Sequence, residues 1–244
     1  MLTLTIDDQT VQVPEHSTVL QAIRHVGVRF PTLCYWEGLP PYSACRLCIV
    51  EMTVPRHLTI PACSYPAEDG LVIATDGPRA VAMRKMMLEF MLARCPNSRV
   101  VRDLADEAGV TDTRFPLNPN ADELCILCGL CVRVCRDLVG AAALAFIGRG
   151  SERKVGAPFG LPADACIGCG ACAAVCPTGA VKMEEVDGQR RLVTWHTNVA
   201  LQPCPSCGRP FTPEPMGFVR EHVPDIEHVW GLCPACRRRA TVGG

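Results

Sequence analysis

Apolar and polar residues alternate over Leu2–Ile6 and again from Thr10 to Val13, with Asp7-Asp8-Gln9 between them, which predicts an opening β-hairpin. The period then changes. Leu20, Ile23 and Val26 recur at helical spacing behind Thr18 and Gln21, which stand as far apart as a capping box requires, and Gly27 occupies the place of a C-terminal cap. A short helix is expected there. The pattern dissolves among Pro31, Pro40, Pro41 and Pro61 and regains helical spacing at Pro78–Arg94. In that second helix, Pro78 opens the first turn, Val81, Met86 or Met87, Phe90 and Met91 form one apolar stripe, and Pro96 enforces the end. Thr111 to Glu123, with Pro116, Asn118, Pro119 and Asn120, reads as a linker, and Val181 to Val193 as a hairpin turning at Asp187-Gly188. The longest apolar run, Leu138 to Ile147, is too short to cross a bilayer and is expected to pack inside a domain. Strands and helices in this order predict an α+β, multidomain chain.

Composition changes the picture of what stabilises these elements. Among 244 residues there are 17 cysteines, 21 prolines and 20 glycines but only 5% aromatics, so large apolar cores are not expected and bound metal must supply part of the folding free energy. Lys and Arg number 24 against 25 Asp and Glu, a formal charge of −1 that offers no general attraction to nucleic acid or anionic lipid. Membrane insertion is not expected either. The opening Met1-Leu-Thr-Leu-Thr-Ile-Asp-Asp lacks the basic start of a signal peptide. A cytoplasmic setting follows, where thiols stay reduced and ready for metal.

The chemistry is concentrated between Cys125 and Cys176. Cys125-x2-Cys128-x2-Cys131-x3-Cys135 is repeated as Cys166-x2-Cys169-x2-Cys172-x3-Cys176-Pro177, the run that holds cubane [4Fe–4S] clusters in bacterial ferredoxins. Three thiolates two residues apart wrap one corner of a cube, and the fourth points toward the neighbouring cluster. Ligation should therefore cross, with Cys125, Cys128, Cys131 and Cys176 on one cubane and Cys166, Cys169, Cys172 and Cys135 on the other. Disulfides would not explain two identical spacings. The loop Gly148 to Lys154 lacks the spacing of a phosphate-binding motif and is expected to be solvated.

Upstream, Cys34-x10-Cys45-x2-Cys48-x14-Cys63 places four thiols with one close pair among prolines, which suits a rhombic [2Fe–2S] cluster better than a cube. Zinc on the same four thiols is the alternative, though zinc usually takes two close pairs. Phe30-Pro-Thr-Leu-Cys34, Ala44-Cys-Arg-Leu-Cys-Ile-Val-Glu51 and Pro61-Ala-Cys63 resemble the N-terminal domain of the iron–sulfur subunit of respiratory complex I. They are equally similar to the small diaphorase subunit of NAD-linked [NiFe]-hydrogenases and to the matching parts of NAD-linked formate dehydrogenases and iron-only hydrogenases. The resemblance implies a β-grasp fold with Cys34, Cys45, Cys48 and Cys63 as ligands. It extends through Cys131-Val-Arg-Val-Cys135 and Cys176-Pro-Thr-Gly-Ala180, although Arg136 stands where many ferredoxins have Pro. One departure is marked. Relatives of this kind carry a His and three cysteines for a further cubane after the first domain, whereas this chain offers only Cys95 there and no His between residues 58 and 195. That cluster is expected to be absent and Cys95 to be a buried thiol at a helix end, rather than a redox sensor.

The tail holds Cys204-x2-Cys207-Gly208 and Cys233-x2-Cys236, two knuckles that predict a zinc ribbon, with rubredoxin-type iron as the alternative. His222 and His228 lie between the knuckles and could replace a thiol, but four cysteines already complete the shell. The expected domains are a β-grasp [2Fe–2S] domain over 1–77, a helical connector over 78–112, a dicluster domain over 113–197 and a zinc-ribbon-like tail over 198–244. No dinucleotide loop, activated nucleophile or open metal site is evident, so no catalytic residue is expected. The resemblance implies an electron-transfer subunit with one [2Fe–2S] cluster, two [4Fe–4S] clusters and one zinc. Its partners would be a flavin (FMN or FAD) subunit handling NAD(P)H and a hydrogenase, formate dehydrogenase or other catalytic subunit. A redox-responsive regulator with a nucleic-acid-binding ribbon is the alternative, opposed by the near-neutral charge.

Overall fold

A computed structural model describes residues 1–160, 164–213 and 232–242. The chain divides into two compact units, Met1–Leu130 and Cys131–Gly244.

In the first unit, β1 (Leu2–Ile6) and β2 (Gln9–Val13) form the expected hairpin, pairing Leu4 with Val11, and turn through Asp7 and Asp8, both with positive φ. Alternation puts Leu4, Ile6, Val11 and Val13 on one buried face. Helix α1 (Val19–His25) lays Val19, Leu20, Ala22 and Ile23 against that face, and both arms of the Thr18–Gln21 capping box are present. Strands β3 (Ile49–Val54), β4 (Leu58–Pro61) and β5 (Val72–Ala74) complete a five-stranded mixed sheet of order β2-β1-β5-β3-β4, in which β5 runs parallel to β1. The loop carrying Cys34, Cys45 and Cys48 leaves α1 and re-enters the sheet at β3, so it is anchored at both ends.

Helix α2 spans Pro78–Arg94 with Pro in its first turn, as expected. Gly77 offers no side-chain cap. The Glu51 carboxylate from β3 takes its place, accepting the Arg79 and Ala80 N–H groups at 2.7 and 3.2 Å. The apolar stripe is rotated from the expected one: Ala80, Leu88, Met91, Leu92 and Ala93 are buried, while Met86 and Phe90 face solvent. Two contacts set that rotation. Arg84 turns inward to donate to the Ile49 and Thr75 carbonyls at 2.7 and 2.8 Å, and α3 (Arg99–Glu107), which the sequence pattern had not suggested, packs its Val101 and Ala105 inward beside α2. The Asn/Pro linker has no regular structure but is tied to α2. Thr113 donates to the Glu89 carbonyl, Asn118 to those of Ala93 and Arg94, and Phe115 stacks on Phe90 with centroids 4.1 Å apart.

In the second unit, a short helix α4 (Leu130–Arg133), begun at the end of the first, widens into a π-helical turn over Val134–Leu138 that contains Cys135. Strands β6 (Ala145–Ile147) and β7 (Lys154–Gly156) pair around the exposed 148–153 turn. Of the long apolar run, Ala143 and Leu144 are buried while Leu138 is exposed. After α5 (Ala171–Ala174), the hairpin of β8 (Met183–Val186) and β9 (Gln189–Leu192) turns at Asp187-Gly188. β10 (Thr197–Pro203) and β11 (Pro210–Pro213) extend it to a four-stranded sheet of order β11-β10-β9-β8, and α6 (Pro234–Val242) closes the described chain. Among the described residues no helix is long and apolar enough to cross a membrane.

Candidate cluster and metal sites

The Cys34–Cys63 loop brings its four thiols together as two pairs. Cys34 interacts with Cys45 and Cys48 with Cys63, and all four are buried. Cys45 is held down to about 6, first by the Cys34 thiol and then by the backbone N–H groups of Leu47 and Leu33. Cys63 is likewise held to about 6, by the Cys48 thiol and then by the Ser43 hydroxyl 3.4 Å away. Cys34 and Cys48 are pushed up by donating within their pairs. The winding that turns these donors inward puts Ser43 and Arg46 at φ of 55° and 56°, a left-handed conformation that costs a non-glycine residue about 1 kcal/mol. Two thiol pairs, each set for one metal, are the arrangement a two-iron rhomb requires.

In the second unit, Cys135, Cys166, Cys169 and Cys172 line one small cavity together with Leu144, Leu192 and Trp195. Cys135 reaches it from the π-turn, where the Val139 N–H bonds to the Val134 carbonyl and the wider turn carries Cys135 out of simple helical register. The Ala143 N–H donates to its sulfur at 3.3 Å. Gly168 and Gly170 have φ of 66° and 78°, and a Cβ on Gly168 would lie 2.8 Å from the Val199 side chain, so the turn between thiols excludes any larger residue. Burial pushes the Cys166 and Cys169 thiols up; on Cys169 the Ala171 N–H and the Arg190 charge work against the rise. Arg190 is fixed at this place by bonds to the Gly168 carbonyl at 2.9 Å and to Glu185 at 2.6 Å.

The first copy of the motif runs across the boundary of the two units, with Cys125 and Cys128 in one and Cys131 and Cys135 in the other. Its backbone is wound like the second copy, with Leu127 and Gly129 at φ of 56° and 74° in the places of Gly168 and Gly170. Cys125 is held from both sides: Arg94 Nε donates to its carbonyl and Glu123 accepts its N–H, each at 2.7 Å. Cys95 ends α2, fully buried, and burial with the nearby Glu123 charge pushes it up to about 12. Such a thiol is protonated and inert at neutral pH, in line with a packing role.

In the tail, the sulfurs of Cys204, Cys207, Cys233 and Cys236 all lie within 4.8 Å of one another. Tetrahedral arms of about 2.3 Å around one ion imply sulfurs about 3.8 Å apart. Cys207 and Cys233 stand at 3.6 Å. Four thiols this close together could hold a metal ion. The Cys233 N–H, 3.4 Å from the Cys204 sulfur, leads the donors that hold that thiol down to about 6. His222 and His228 lie outside the described residues. Sequence reasoning did not single out Ser43, Glu123, Arg190 or Trp195, none of which belongs to a recognisable spacing; Ser43, Arg190 and Trp195 reach the cysteine sites through folding alone, and Glu123 accepts the N–H of Cys125 two residues on.

Residues 1–78 match a 2Fe-2S iron-sulfur cluster binding domain, and residues 165–211 match a 4Fe-4S dicluster domain. The chain is 33% identical over 232 residues to an NADH-quinone oxidoreductase subunit of Rhizobium meliloti, covering 85% of this chain and 27% of that protein. It is 31% identical to the NADP-reducing hydrogenase subunit HndD of Solidesulfovibrio fructosivorans, covering 76% and 36% respectively. The chain thus spans about a third or less of these relatives' length. Among solved structures, that of NAD+-reducing [NiFe]-hydrogenase in the H2-reduced state superposes with a TM-score of 0.55 at 29% identity, covering 64% of this chain and 75% of that one. The chain carries [2Fe–2S] and [4Fe–4S] binding domains and, over the residues matched, is similar to subunits of NADH-quinone oxidoreductase and of NAD(P)-linked hydrogenases.

Proposed function

We propose that this chain relays single electrons within a multisubunit cytoplasmic oxidoreductase, between a flavin subunit that handles NAD(P)H and a hydrogenase, formate dehydrogenase or related catalytic subunit. In this reading, Cys34, Cys45, Cys48 and Cys63 hold one [2Fe–2S] cluster. Cys125, Cys128, Cys131 and Cys176 hold one cubane, and Cys166, Cys169, Cys172 and Cys135 hold a second. Cys204, Cys207, Cys233 and Cys236 hold a zinc that carries no electrons. The observation that supports it most is the meeting of Cys135 with Cys166, Cys169 and Cys172 around one cavity, because a thiol borrowed from the other motif is what paired cubanes require. The relatives' names are those of oxidoreductases and hydrogenases, which favours a relay over a regulator.

What the residues contribute is environment: they bury the thiols, aim N–H groups at sulfur and keep water away, while the clusters, when bound, supply the one-electron chemistry. The test is composition. Anaerobically purified chain should hold about ten irons and about ten acid-labile sulfides, with one zinc. About fourteen of each would mean a third cubane and overturn the ligand count. Co-purification from the native host should then recover a flavoprotein; its absence from every anaerobic preparation would defeat the proposed partnership.

A further inference from the structure

Trp195 is 6% exposed and lines the cavity of Cys135, Cys166, Cys169 and Cys172, yet its indole N–H has no hydrogen-bond acceptor in satisfactory geometry among the described residues. A buried donor left unpaired costs about 1–3 kcal/mol, so a residue in that condition is expected to have an acceptor in the working protein. The candidates around it are sulfur. Leu144, Val181 and Leu192 pack with the ring and offer none. Cys172 does: it is buried, belongs to the same packed cluster as the ring and lines the same cavity. The ring is set by its surroundings, lying in a 3-10 turn (Val193–Trp195) that follows β9 and ends in a left-handed residue, His196, with φ of 53°.

We infer that Trp195 is a tuning residue of the second cubane, donating its indole N–H to the Cys172 sulfur or to an adjacent cluster sulfide and thereby raising that cluster's reduction potential. The sign follows from charge. Reduction adds one electron to the cluster and its sulfur ligands, so a hydrogen bond to sulfur favours the reduced form. Trp195 lines the cavity of Cys135, Cys166, Cys169 and Cys172, so the two cubanes would differ in potential although their ligand spacings are the same. Electrons entering the pair would collect on the Cys166–Cys172 side.

This inference rests on the reading that these four thiols hold a [4Fe–4S] cluster, and the experiment separates the two. Trp195→Phe keeps the packed ring and removes the N–H. Redox titration of the full chain followed by EPR should show the reduction equilibrium of one cubane weakened about tenfold, a fall of about 59 mV for one electron, with the other cubane and the [2Fe–2S] cluster unmoved. The shifted cubane should be the one that Cys135→Ala removes. A loaded variant whose cubane potentials match the wild type, or whose potential rises, overturns the hydrogen bond and leaves the ligand assignment standing. A wild-type chain with a single cubane overturns the assignment, and the inference with it. Should Trp195→Phe fail to assemble, the wild type labelled with nitrogen-15 in its indoles decides: pulsed EPR of the reduced second cubane should detect a coupled indole nitrogen, and its absence refutes the proposal.

Discussion

The chain holds two four-cysteine sites near its ends, Cys34–Cys63 and Cys204–Cys236, that use the same ligand atoms and are stabilised in opposite ways. The first is suspended from a sheet whose core contains seventeen buried residues, among them Cys48 and Cys63 themselves. Around the second, the buried residues are Cys204, Cys233 and Cys236, with Phe211, Leu232 and Ala235 packed partly against them. Apolar burial at about 25 cal/mol per Å2 supports the one with or without metal, whereas the other, among the described residues, buries little except its own thiols. In the tail the four sulfurs all lie within 4.8 Å of one another.

The largest effect should therefore come from removing metal. A zinc-selective chelator applied to the anaerobic chain should abolish hydrogen-exchange protection of the tail, since structural zinc supplies about 10–16 kcal/mol to domains of this kind, while protection of the five-stranded sheet persists. Loss of the [2Fe–2S] cluster should disorder its loop but leave β1, β2 and β5 protected. If the sheet melts together with its cluster, the contrast between core-supported and metal-supported sites is wrong.

Next in size is the loss of one cubane. Cys135→Ala should remove the cluster of Cys166, Cys169 and Cys172, reducing iron content by about four per chain while the [2Fe–2S] spectrum is unchanged. Damage confined to the cluster of Cys125 would show that ligands do not cross.

These two expectations could be framed from the sequence, and the reason is physical. Ligand spacing and strand alternation are local constraints that a short stretch must satisfy by itself, which is why the hairpin, the Thr18–Gln21 box, the ends of α2 and the grouping of Cys135 with the second motif were all legible. The face of α2 was not. Phe90 is more apolar than Ala80 or Ala93, yet it stacks outside on Phe115 because Arg84 must reach the Ile49 and Thr75 carbonyls from the inner side. α3 was missed because its apolar contribution is small, Val101 and Ala105 being its buried residues. Glu51 as a helix cap and Trp195 as a donor depend on contacts between distant positions, and no window of sequence contains them.

The core side of the comparison can be sharpened with one substitution. Ile23 is fully buried between α1 and the sheet, so Ile23→Ala should cost the N-terminal unit about 2–5 kcal/mol, read from urea unfolding of the zinc-loaded and cluster-loaded chain. Phe211→Ala in the loaded tail should cost less, since metal rather than the ring holds that segment. Equal costs at the two positions would mean that the tail carries a core of its own.

The smallest effect is in pH. Cys204 in the folded tail is held at about 6 against an ordinary value of 9.0, chiefly by the Cys233 N–H, and Cys233 is lowered as well. A thiol with a depressed value contributes fully above the ordinary value and loses that contribution as pH falls through the lowered one. Zinc uptake by the metal-free chain displaces a proton from every thiol still carrying one, so affinity changes about tenfold per pH unit for each. With metal removed and the tail unfolded, the Cys233 N–H is no longer held at the Cys204 sulfur, so Cys204 keeps its proton up to its ordinary value and the slope should stay constant through pH 6. Competition against a chromophoric chelator across that range should show no break. A slope that steepens by one as pH falls below about 6 would mean that the Cys233 N–H already holds the Cys204 thiolate before metal arrives, and that the tail is organised without its ion.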